Sequence, residues 1–128
     1  MKPETAAFLD KAHECLAKAD GMLANWPDEA GRAAYLAGLH AAQALIVEST
    51  GKVAKTHKGV QRELGRMTKD EPRFDMELQA FLGRAYNLKA IADYETGPGS
   101  DVSPERAARA IDEAKLFVAR IAELVKRP

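Results

Sequence analysis

From Ala33 to Val47 the chain reads AAYLAGLHAAQALIV, apolar on nearly every face of a helix. A surface helix carries one apolar stripe, whereas one that is apolar all round must be packed on several sides. The run is shorter than the roughly 20 residues that a bilayer span requires. It therefore predicts a central helix inside a bundle, from Asp28 to Thr50. Its alanines and Gly38 would let neighbouring backbones approach closely. Asp28 and Glu29 fall in its first turn, where the helix dipole favours acids. Gly51 is placed to end it, being tolerant of left-handed geometry.

The flanking segments read as helices that cover this one. Phe8, Leu9, Ala12, Cys15, Leu16, Ala19, Met22, Leu23 and Trp26 step by three and four into one stripe. Pro27 suits the first turn of the central helix better than the interior of the one before it. A short third helix is expected over His57–Thr68, with Thr56 as N-cap and Val60, Leu64 and Met67 inward. Pro72 disfavours helix at Glu71. A fourth helix carries Leu78, Phe81, Leu82, Ala85, Leu88 and Ala92. Glu95 to Pro104, ETGPGSDVSP, reads as a loop. In the fifth helix Ser103 caps, Pro104 takes the first position, and Ala107, Ala110, Ile111, Ala114, Phe117, Val118, Ile121, Leu124 and Val125 form the buried stripe. No segment alternates like a strand. The expected fold is all-α, a single domain over residues 1–128 built as an antiparallel up-and-down bundle of four long helices and one short one.

Composition agrees with a globular domain: 46 % apolar and 30 % charged residues. Cys15 is the single cysteine, so no internal disulfide can form. The N-terminus MKPETAAFLDKAHEC has acids where a signal peptide needs an apolar core. A soluble, cytoplasmic protein without membrane contact is the expectation. Net charge is zero but unevenly spread. Residues 4–29 carry six acids and two lysines, whereas residues 51–73 carry seven bases and three acids. The basic segment contains Lys55, Lys58, Arg62 and Arg66; the last three recur every four residues and predict a ridge on one helix face. Such a ridge either is simply solvated or holds phosphates.

Metal and covalent chemistry find little support. His13, His40 and His57 lie on three different predicted helices, with no second cysteine to help form a zinc site. Cys15 falls in an apolar stripe, which favours an inert thiol. No cofactor is expected, since TGPGS follows no strand and lacks the lysine of a phosphate loop. Polar residues interrupting the apolar helices are more informative. Arg32, Tyr35 and His40 punctuate the central helix and are placed to border one groove. Tyr86, Lys89 and Asp93 share a face of the fourth helix, and Tyr94 follows. Either these residues satisfy one another inside the bundle or they line a binding groove.

The segments RAAYLAGLHAAQALI, KTHKG, NLKAIADYE and SPERAARAIDEAKLFVARI resemble the HEPN domain, more narrowly the small stand-alone prokaryotic members. The resemblance spans most of the chain, in order and with sensible gaps. It implies a helical bundle, commonly dimeric, often encoded with a minimal nucleotidyltransferase in toxin–antitoxin or defence modules. Many members are metal-independent ribonucleases, and others bind nucleotide or RNA without cutting. Carried across, Arg32, Tyr35 and His40 match the second-helix motif. Lys55, Thr56, His57 and Gly59 match the turn, and Asp93 and Tyr94 the fourth-helix motif. Lys89 stands where the family has arginine, keeping the charge but losing the planar fork. Leu39 replaces the usual phenylalanine.

Ribonuclease members place an arginine, four to six residues, then a histidine. No histidine here satisfies that spacing: the positions needed hold Ala6, Ala7 and Phe8 for His13, Ala33, Ala34 and Tyr35 for His40, and Thr50, Gly51 and Lys52 for His57. The expected function is therefore a non-catalytic HEPN homodimer with no catalytic residue and no metal. It would bind nucleotide, RNA or a partner nucleotidyltransferase through Arg32, Tyr35, His40, Lys55, His57, Lys58, Arg62, Arg66, Lys89, Asp93 and Tyr94. A ribonuclease toxin with a displaced site, or a helical interaction module with no nucleic-acid role, are the alternatives. The family resemblance and the expected binding role both require Arg32 and Asp93 to face a shared cleft.

Overall fold

A computed structural model describes residues 1–96 and 101–126. It contains five helices: α1 (Pro3–Met22), α2 (Pro27–Thr50), α3 (His57–Thr68), α4 (Met76–Tyr94) and α5 (Pro104–Lys126). No strand occurs among the described residues. The expected all-α bundle is the fold, with α2 at its centre. Among the described residues α2 touches each of the other four helices, while α1 and α4 do not touch each other.

The residues that end the helices do so for local reasons. Gly51 adopts φ 74°, and its N–H donates to the Val47 carbonyl at 2.9 Å, closing α2. Thr56 Oγ1 accepts the Gly59 N–H at 3.0 Å and opens α3. Ser103 Oγ accepts the Arg106 N–H at 3.1 Å and opens α5. Asp75 caps α4 by accepting the Leu78 N–H at 3.0 Å, a signal the sequence pattern had not singled out. Residues 97–100 of the expected loop lie outside the described residues. Just after them, the Val102 N–H donates to Asp28 Oδ1 at 2.7 Å, tying the start of α5 to the start of α2.

Burial follows the predicted stripes closely. The nine inward residues expected on α5 are the buried set of that helix. Fourteen residues of α2 are buried, among them Tyr35 and Gln43. Trp26 is the correction: it is 59 % exposed rather than continuing the α1 stripe. Helix α1 ends at Met22, so the turn over residues 23–25 breaks the helical phase before Trp26 is reached.

Of the two glycines within α2, Gly38 is the more closely approached. A Cβ there would lie 2.5 Å from Phe81 Cε2 and 3.1 Å from Leu82 Cδ2. The Phe81 ring cannot swing aside freely, because it is buried and packs on Phe117 with centroids 5.0 Å apart. Gly38→Ala should therefore destabilise the fold by about 1–3 kcal/mol through overpacking, outweighing the roughly 1 kcal/mol helix preference of alanine over glycine. Urea unfolding measures this; a gain in stability would mean that α2 and α4 can move apart.

Candidate functional site

The central helix and its neighbours bring the sequence-predicted polar residues into two clusters and leave others apart. The first joins α2 to the C-terminal end of α4. Arg32 Nε donates to Asp93 Oδ1 at 2.8 Å, and Lys89 Nζ donates to Asp93 Oδ2 at 2.5 Å. Arg32 and Asp93 thus face each other. The Lys89 hydrogen bond, then the nearby Arg32 charge, hold the Asp93 carboxyl below its usual range. The same bond raises the Lys89 ammonium. With two cations on one carboxylate the cluster keeps one positive charge. Tyr94 extends it: its ring is 77 % exposed, and Lys89 Nζ lies 5.9 Å from the ring centroid, within cation–π range.

The second cluster joins α2, α3 and α4. Tyr35 is buried, and its hydroxyl lies 2.8 Å from His57 Nδ1. His57, the first residue of α3, stacks on Tyr86 with centroids 4.0 Å apart and planes 25° apart. Tyr35 meets Tyr86 edge-on at 5.5 Å. Burial, and secondarily Tyr86, push the Tyr35 phenol up to about 12, so it keeps its proton. Its O–H has no other acceptor among the described residues, and a buried donor left unpaired is costly. The hydroxyl therefore donates to Nδ1, which places the neutral imidazole proton on Nε2. Burial also lowers the His57 pKa below 6.5. His57 accordingly presents an N–H donor on Nε2 rather than a lone pair.

His40 belongs to neither cluster, which corrects the expected groove. Its ring stacks on Phe8 of α1 at 6.2 Å. Its Nδ1 donates to Gln43 Oε1 at 2.8 Å, while Gln43 Nε2 donates to the Ala54 carbonyl at 2.9 Å. The eight-residue step from Arg32 to His40 turns the side chain by about 80°, enough to move it from the α4 side of α2 to the α1 side. Lys55, Lys58, Arg62 and Arg66 are exposed. Arg66 pairs with Glu63 at 2.8 Å, so the ridge is less cationic than its spacing suggests. Cys15 is partly buried, and burial raises its thiol pKa, which keeps it protonated. No group of three or more His, Cys, Asp or Glu residues is disposed to hold a metal among the described residues. No helix among them is long and apolar enough to cross a membrane.

Two residues gained importance only in three dimensions. Tyr86 was legible as part of a helical face, but not as the wall against which His57 stacks. Gln43 sat in an apolar run and gave no sign of joining His40 to the chain before α3.

Comparison with known proteins agrees with this frame. The model of the HEPN domain matches residues 5–124. A protein of Methanocaldococcus jannaschii named "Putative toxin MJ0605" is 30 % identical, the match covering 98 % of this chain and 92 % of that protein.

The Tyr35–His57 bond has a measurable consequence. In Tyr35→Phe the donor to Nδ1 is lost, so the neutral His57 imidazole should no longer be held as the Nε2–H tautomer, as read by the nitrogen chemical shifts of the ring. In the native protein the depressed His57 pKa means that the unfolded chain binds the proton more readily. Stability from this group should be complete above pH 6.5 and fall as pH drops through the folded-state pKa. A tautomer unchanged in Tyr35→Phe would show that the hydroxyl does not set it.

Proposed function

The chain belongs to the HEPN domain family, and on that footing we propose that it is a toxin-type HEPN domain that binds single-stranded RNA without cutting it. The observation that carries the binding is the cluster at the end of α4. The exposed Tyr94 ring offers a face for a base, and Lys89 and Arg32 stand beside it with one positive charge to spare. Proteins that hold single strands combine such rings with cations that track the backbone. Lys55, Lys58 and Arg62 supply further exposed charge near His57. The His57 Nε2–H is suited to donate to a phosphate or base oxygen.

The absence of cutting rests on two features. The family's ribonuclease spacing of arginine and histidine is missing. Removal of a 2′-OH proton also needs an unprotonated acceptor, whereas the Tyr35 bond leaves His57 with a proton on its outward nitrogen. In this reading the protein works in the cytoplasm as a homodimer beside a minimal nucleotidyltransferase. The toxin assignment draws support from the name of the archaeal relative.

The test is a binding titration with a short single-stranded RNA across several salt concentrations. Tyr94→Ala should weaken binding by about 1–3 kcal/mol, as expected for loss of one base–ring stack. Lys89→Gln should lower the slope of log affinity against log salt by about 0.7. RNA left intact with full-length protein supports the binding reading; cleavage that disappears in His57→Ala would replace it with a ribonuclease. Affinity unchanged in both Tyr94→Ala and Lys89→Gln would exclude this cluster.

A further inference from the structure

The side of α4 turned away from Tyr86 and Asp93 holds a second feature. Residues 84 and 88 lie nearly opposite residues 86 and 93 around a helix, and there α4 and α5 enclose a cleft of about 740 Å³. Three arginines line it: Arg84 from α4, and Arg106 and Arg109 from α5. Between them Phe81, Leu88 and Ala110 form an apolar floor, each largely buried in the core. This size falls within the roughly 300–1,000 Å³ common for small-molecule sites.

The charges of the cleft are only partly spent. The Arg84 guanidinium donates to the Glu113 carboxylate and lies 3.8 Å from Glu77, which holds it across the opening. Arg106 and Arg109 form no ion pair among the described residues. They occupy the first two turns of α5, beside the end where the helix dipole is positive and disfavours cations. Two unpaired cations stacked at a positive helix end would be stabilised by an anion between them. Arginine forks match the oxygens of phosphate through paired hydrogen bonds.

We propose that this cleft is a separate ligand site for a phosphorylated small molecule. Its phosphate is held by Arg106 and Arg109 with Arg84 at the rim, and its apolar body lies on Phe81, Leu88 and Ala110. The site does not depend on the RNA-binding reading, since it uses the opposite face of α4.

Phenyl phosphate and inorganic phosphate, titrated at constant ionic strength, test it through amide chemical shifts and melting temperature. Phenyl phosphate should give saturable shifts along α4 and the first turns of α5 and raise the melting temperature. It should bind more tightly than inorganic phosphate, because only it reaches the floor. The exposed pair Arg106→Gln with Arg109→Gln should leave the ligand-free melting temperature in place and weaken binding at least about tenfold. Tyr94→Ala should leave this binding intact even though it impairs RNA binding. Unsaturable shifts, equal affinity in the double variant, or equal affinity for the two phosphates would overturn the proposal. So would tighter binding of a poly-glutamate peptide, which would assign the cleft to a protein partner.

Discussion

The burial of α2 on nearly all sides is the constraint from which the rest of this structure follows. Alanine and glycine keep its surface narrow enough for four helices to approach it. A helix so enclosed offers little water to its polar side chains, and each must find a partner in the protein. Arg32 finds Asp93, Tyr35 finds His57, His40 and Gln43 find each other and the Ala54 carbonyl, and Glu48 accepts from Thr5 and the Lys2 N–H. No buried side-chain nitrogen or oxygen among the described residues lacks a partner. Arg32, Tyr35, Gln43 and Glu48 thereby each tie the central helix to another segment.

These ties make the candidate site a product of core packing. His57 is oriented by a hydroxyl that the core holds still, because Tyr35 is nearly inaccessible and its ring is fixed edge-on to Tyr86. The Thr56 cap fixes where α3 begins, and hence where His57 stands. The chemistry of the imidazole, donor outward rather than base outward, is then decided by a buried phenol and not by any group on the surface. One fold can differ in such a detail of its site while the helices remain in place.

The bundle also keeps its charged features apart. The Arg32–Asp93–Lys89 cluster and the arginine cleft sit on opposite faces of α4, while the exposed bases of α3 form a third zone. Helix α4 can present two chemistries because its two faces meet different neighbours: α2 and α3 through Tyr86 and Arg32, and α5 through the Arg84–Glu113 pair.

Helix number, most boundaries and the buried stripes were legible in the chain itself, because helix periodicity, caps and prolines are local. Gly51, Thr56, Pro72, Ser103 and Pro104 act within a turn or two of where they stand, and the α5 stripe needs only a period of 3.6 residues. The meeting of Arg32 with Asp93 was anticipated from helical faces. The rest depended on how the helices rotate against one another. Trp26 left its stripe because three residues of turn broke the helical phase, and His40 turned toward α1 because of an added rotation of about 80°. The stacking of His57 on Tyr86, the choice of its tautomer, and the gathering of Arg84, Arg106 and Arg109 around one cleft join residues far apart in the chain. A residue's own neighbours determine its helix and its face; only the packed bundle decides what that face meets.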